Sequence, residues 1–276
     1  MSALDDWSIE SSFPVADGRK VLILYTSDLQ SDLLSSIAIE RYGLNNIVWA
    51  GADDFALDPT LPDLQVFKYN FTDCITVNFG GIHRIYIPKD KLKDSFGLYN
   101  RMEYALEQLT SYNPKLTPDN FYLLAGMDKA EILMHRIAID AYYNYSGDVM
   151  QCLDSKPEHV STIKEYMKTR SFERQSTDDD VVQLINAVLK YINRGANDTL
   201  KILDGDFGNL PFSSLTYDEI AQLAINLGKE YILLDSWNCY RSLHKIQKRC
   251  GVCSKCLQFK HALSSVNKLE GIEFAE

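Results

Sequence analysis

The sequence predicts an α/β fold: a doubly wound, mainly parallel sheet of Rossmann type with a cysteine-bearing C-terminal module. Three observations carry that expectation. The run Val-Leu-Ile-Leu-Tyr at 21–25 is continuously apolar, as in a strand covered on both faces. A segment with helical spacing and a second apolar run at 46–50 follow it, which makes a βαβ unit. Four of the six cysteines, Cys239, Cys250, Cys253 and Cys256, then crowd together near the C-terminus.

The elements follow in order. Residues 1–19 are a polar leader, and 20–25 form the first strand. After a polar turn, residues 32–42 place Leu33, Leu34, Ile37, Ala38 and Tyr42 on one helical face, and Gly43 closes the helix. Residues 46–50 are the second strand. Between 64 and 88, alternation at Val66, Ile75, Val77 and Phe79, with Gly80-Gly81 before Arg84, predicts strands joined by tight turns. A helix is expected at 100–109, a strand at 121–125 ending before Gly126, and helices at 129–143 and 158–169. Asp178, Asp179 and Asp180 open a helix at 181–193, where acids match the helix dipole. A strand at 200–203 precedes a helix at 216–227, whose Thr216 and Glu219 have the spacing of a capping box. Residues 231–234 are expected as the last strand. The division is therefore an α/β domain at 20–235 and a zinc-binding module at 236–276.

Composition narrows the function. The 276 residues carry 28 Lys+Arg and 38 Asp+Glu, a formal charge of −10. That balance disfavours a broad electrostatic grip on nucleic acid. The N-terminal stretch has acids and no apolar core of a signal peptide, and no run approaches the ~20 apolar residues of a membrane span. The expectation is a soluble cytoplasmic protein without membrane contact. In a reducing compartment, close cysteines read as metal ligands before disulfides.

The cysteine spacing is Cys239-x10-Cys250-x2-Cys253-x2-Cys256. Each Cys-x-x-Cys turn brings two thiolates to one side, and four sulfurs suit tetrahedral zinc with no open position, hence a structural ion. Gly251 sits where the turn between ligands needs conformational freedom. An iron–sulfur cluster, a redox dithiol and ligation by His244 remain as alternatives. Loss of one ligand is expected to disorder the whole C-terminal tail.

The turn after the first strand carries Thr26, Ser27 and Ser31 ahead of a helix, an arrangement that offers hydroxyls and backbone N–H groups to an anion. An ordinary βα loop with hydroxyl caps is the competing reading.

Taken together, Leu210-Pro-Phe212, Leu215-Thr216-x-x-Glu219-Ile220, Ser236-Trp237-Asn238-Cys239-Tyr240 and Cys250-Gly251-x-Cys253-x-x-Cys256 resemble the C-terminal half of 7-cyano-7-deazaguanine synthase, the QueC family. The resemblance implies a PP-loop ATP pyrophosphatase fold. Such enzymes adenylate a carboxylate using ATP and Mg2+, here converting a 7-deazaguanine carboxylate to amide and nitrile in queuosine biosynthesis. It also implies the four-cysteine zinc site and a tendency to homodimers. QueC-like proteins occur in anti-phage operons too, where conjugation of a base to a protein would be implied.

The family's loop reads Ser-Gly-Gly-x-Asp-Ser. Here Thr26-Ser27-Asp28-Leu29-Gln30-Ser31 stands in its place. Asp28 would set a negative charge beside triphosphate, and Gln30 has no carboxylate for magnesium. Strand ends in open α/β sheets line the ligand crevice. A nucleotide-binding set of Thr26, Ser27, Asp28, Gln30, Ser31 and Gly51 is therefore expected, with Gly126, Asp128 and Trp237 around a substrate pocket. Two readings follow: a degenerate QueC-like protein that binds a nucleotide, a deazaguanine-type base or a protein partner, and an active ATP-dependent enzyme of the QueC type.

Overall fold

The computed structural model describes residues 2–25, 28–52, 65–67, 75–79, 82–87, 121–169, 176–192, 208–236, 249–270 and 272–274. The helix expected at 100–109, the strand at 200–203, and Thr26, Ser27, Trp237, Cys239 and His244 lie outside them. Among the described residues no helix is long and apolar enough to cross a membrane.

Seven strands form one sheet: β1 (Lys20–Tyr25), β2 (Ile47–Ala52), β3 (Gln65–Phe67), β4 (Ile75–Phe79), β5 (Ile82–Ile87), β6 (Phe121–Ala125) and β7 (Gly208–Asn209). Their spatial order is β3-β4-β5-β2-β1-β6-β7. β1 pairs in parallel with β2 on one side and with β6 on the other, and β2–β5 and β6–β7 are parallel too. The strands expected between 64 and 88 correspond to an antiparallel β3-β4-β5 ladder at one edge, and the turns expected between them lie outside the described residues. The parallel α/β core of the expectation is therefore present, with an antiparallel extension.

Alternation along β1 explains its continuous apolar run. Val21 and Ile23 enter a core with Leu124, while Leu22 and Leu123 point to the opposite face and are equally buried. The first core is filled by α3 (Leu29–Tyr42), α8 (Tyr217–Asn226), α9 (Tyr231–Asp235) and α10 (Ser254–Ser265), through Leu33, Leu34, Ile37, Ile220, Leu233, Phe259 and Leu263, together with Phe212 from the turn before α8. A second core joins α4 (Lys129–Asn144), α5 (Val149–Asp154), α6 (Pro157–Lys168) and α7 (Asp178–Ile192) around Ile137, Cys152, Ile163, Val181 and Ile185. Ahead of the sheet, the short α1 (Ala3–Asp6) and α2 (Ile9–Ser12) are not a free polar stretch. Trp7 donates to the Pro211 carbonyl at 2.8 Å, and Phe13 is buried in the first core.

Local signals set the helix ends. Thr216 and Glu219 form the expected capping box, and Gly43 ends α3 at φ +79°. Two expectations are corrected. Residues 231–234 are helical, because a tight turn at Gly228 (φ +69°) leads into a single helical turn that buries the adjacent pair Ile232 and Leu233. A strand would have buried alternate residues; a four-residue apolar run does not distinguish the two. The helix after β1 begins at Leu29, not near Ser31, because Asp28 is its N-cap.

Candidate functional site

The strand order reverses at β1, so the ends of β1 and β6 open a crevice where ligands of open α/β sheets bind. Two helices start there, and each is capped by an aspartate. Asp28 Oδ1 accepts from the Ser31 N–H at 3.0 Å, and Asp128 Oδ1 accepts from the Ala130 and Glu131 N–H groups at 2.9 Å each. Glu131 returns the capping box to the Asp128 N–H. Gln30, at 1% exposure, bridges the two helices: its Nε2 donates to Glu131 Oε2 at 3.1 Å and approaches Asp128 Oδ2 at 3.4 Å. From α10, Lys255 Nζ lies 3.5 Å from both Asp28 Oδ2 and Glu131 Oε1.

In the described part of the turn, residues 28–31, polar groups meet internal partners. The Ser31 N–H is capped, and its hydroxyl donates to the Asp28 carbonyl at 3.1 Å. Ser35 donates to the Ser31 carbonyl at 2.7 Å and accepts from the Trp49 indole at 2.9 Å, tying the helix start to β2. The Asp28 charge is likewise not set freely toward the crevice: the side chain is a helix cap and is paired with Lys255. Gly51 stands at the end of β2, in register with Tyr25.

Gly126 has a packing reason. A Cβ there would sit 2.9 Å from the Gln30 carbonyl carbon, so the bare backbone lets β6 end against the first turn of α3. Asp128, fully buried, is a cap as well as a crevice residue. Glu131 and Lys255 were not singled out from the sequence. The Asp128-x-x-Glu131 spacing is a capping-box signal that could have identified the first. Nothing local marks Lys255.

The cysteines meet beside this crevice. The Sγ atoms of Cys250, Cys253 and Cys256 all lie within 4.8 Å of one another, and those of Cys250 and Cys256 are 3.9 Å apart. Sulfurs about 2.3 Å from a tetrahedral ion stand about 3.8 Å apart, so the spacing fits zinc. The Cys253 N–H points at Cys250 Sγ at 3.4 Å. Gly251 adopts φ +72°, as the turn requires. Arg249 fixes the approach: its guanidinium donates to the Leu234 carbonyl at 2.7 Å and the Ser236 carbonyl at 2.6 Å.

Beyond the three cysteines, α10 is anchored by Phe259, Ala262 and Leu263 in the first core. Among the described residues Cys152 is not part of a comparable cluster. Burial, and then the Asp140 carboxylate 3.5 Å away, push its thiol up to about 11, which leaves it protonated and unreactive.

Fold and site define a chain with a parallel α/β core and a three-cysteine cluster able to hold a metal such as zinc. Residues 177–267 match the family described as "Queuosine biosynthesis protein QueC". The chain is thus QueC-like over about a third of its length, from α7 through α10, and the match points to a queuosine-biosynthesis-like function. No curated protein matches it. The family match includes the cysteines and Lys255 but not β1 or its turn.

Proposed function

We propose that this chain is a QueC-derived protein on a PP-loop-like, doubly wound domain at 20–235, with a zinc-bearing extension at 236–276 in which Cys239 is the fourth ligand. In this reading it is a soluble cytoplasmic protein that binds a nucleotide or a 7-deazaguanine-type base in the crevice, with ATP turnover diverged or lost. The observation that carries the reading is the internal bonding of residues 28–31, the described part of the turn. Asp28, Gln30 and Ser31 stand where the family's loop would meet phosphate and magnesium, and they are engaged with Lys255, Asp128, Glu131 and one another.

In the crevice the carboxylates of Asp28 and Glu131 lie beside Lys255, and that of Asp128 lies beside Gln30. A triphosphate entering there would meet these carboxylates, at roughly 1–4 kcal/mol per like pair at 4 Å. A carboxy-deazaguanine or AMP carries fewer negative charges than ATP and meets less of this penalty, and the polar edge of its base suits amide and carboxylate partners. Titration calorimetry with 7-carboxy-7-deazaguanine, AMP and ATP–Mg2+ tests this. The base or AMP is expected to bind more tightly than ATP, and tighter binding of ATP–Mg2+ would reject the reading. A homodimer or a protein partner is compatible with either ligand.

The active-enzyme reading draws on one feature: Ser31 keeps the family's hydroxyl at the crevice. Its present hydrogen bond to the Asp28 carbonyl would have to be exchanged for phosphate during turnover.

A further inference from the structure

Lys255 stands between two members of the cysteine cluster, Cys253 and Cys256, in the first turn of α10. Its ammonium lies in the crevice between Asp28, the cap of α3, and Glu131, the capping-box partner of α4. The three side chains are 14%, 11% and 17% exposed, so solvent screens their attraction far less than it would at the surface. One cation thus ties together the first turns of the two helices that flank the strand-order reversal.

What fixes that cation is the cysteine turn. Cys253 is the N-cap residue of α10 and makes no side-chain cap hydrogen bond. A helix start without a cap frays unless something else holds it. A metal on Cys250, Cys253 and Cys256 would gather residues 250–256 into one geometry and so fix the rotation of Lys255. Farther along, Phe259, Ala262 and Leu263 keep α10 seated whether or not its first turn is ordered. The link is therefore local to the first turn.

We propose that Lys255 is a positioning residue that couples metal occupancy of the cysteine cluster to the order of the crevice between α3 and α4. The inference rests on the metal reading given above. With the ion in place, Lys255 holds the Asp28 and Glu131 carboxylates where they cap their helices. Without it, the ammonium swings free and both caps loosen, although the sheet and α10 remain.

Hydrogen–deuterium exchange on the full chain, with zinc and after chelation, reads this out directly. Chelation should accelerate exchange at residues 29–34 and 129–134 on the order of tenfold, in addition to residues 250–257. Lys255→Met should reproduce the acceleration at 29–34 and 129–134 with zinc stoichiometry unchanged, and Lys255→Arg should largely restore protection. If chelation loosens only 250–257, or if Lys255→Met exchanges like the parent, the coupling is wrong while the metal reading stands. A chain that takes up no zinc overturns both.

Discussion

Serine at position 253 separates a metal centre from a chance gathering of thiols by the sign of its effect. Cys253 is the N-cap of α10 and makes no cap hydrogen bond, whereas serine is among the best N-cap residues. In a metal-free cluster, Cys253→Ser would add a cap worth about 1 kcal/mol. For a chain this long that raises Tm by about 2–4 °C. If the cluster holds zinc, the substitution removes a ligand from an ion whose binding free energy in small modules is on the order of 10–16 kcal/mol. Losing even a third of that outweighs the new cap several-fold. The expected result is a fall in Tm of ~5 °C or more, with bound zinc dropping well below one per chain. Differential scanning fluorimetry and elemental analysis of the same samples read both quantities. A stabilised variant, or one with undiminished zinc, would refute the metal assignment of Cys253.

Gly126→Ala places a Cβ 2.9 Å from the Gln30 backbone and should cost ~1–3 kcal/mol, measured by urea unfolding. Gln30→Asp restores the acid of the family's loop, but here it removes an amide donor and sets a third carboxylate beside Asp128 and Glu131. It should lower Tm in EDTA by about 5 °C or more, and a neutral thermal shift would contradict the hydrogen-bonding assigned to Gln30. Burial alone would raise the Glu219 pKa, but hydrogen bonds from the Ser2 hydroxyl and from Thr216 outweigh it and hold the carboxyl below its usual 4.5. Its contribution is therefore present above about pH 4.5 and lost as pH falls through the depressed folded value. The difference in Tm between the parent and Glu219→Gln should be largest near neutrality and shrink in acid.

The parts legible in the sequence were those governed by local signals. The run at 21–25, the capping box at Thr216 and Glu219, the acidic start of α7 and the positive φ at Gly251 each follow from a few adjacent residues. The segment at 231–234 was misread because its burial is decided by how α9 folds back on α8 after Gly228, not by its own pattern. The helix after Cys253 carries only a weak apolar stripe and went unmarked, although Phe259 and Leu263 are fully buried. For the site, the three cysteines came together as their spacing implied. The role of Asp28 was visible only in part: its charge was evident and its cap is a local contact with Ser31, but its pairing with Lys255 joins residues 227 positions apart. Long-range ion pairs of this kind leave no periodic trace in a single sequence.

Pyrophosphate release by the zinc-loaded chain, supplied with ATP, Mg2+, 7-carboxy-7-deazaguanine and ammonia, tests the central claim most directly. A crevice whose Asp28, Gln30 and Ser31 are committed to internal partners predicts no pyrophosphate or AMP above the no-enzyme background, even though base or AMP binds. Repeated turnover, with AMP and pyrophosphate formed in equal amounts and in excess of the protein, would contradict the account and establish the chain as an active QueC-type enzyme.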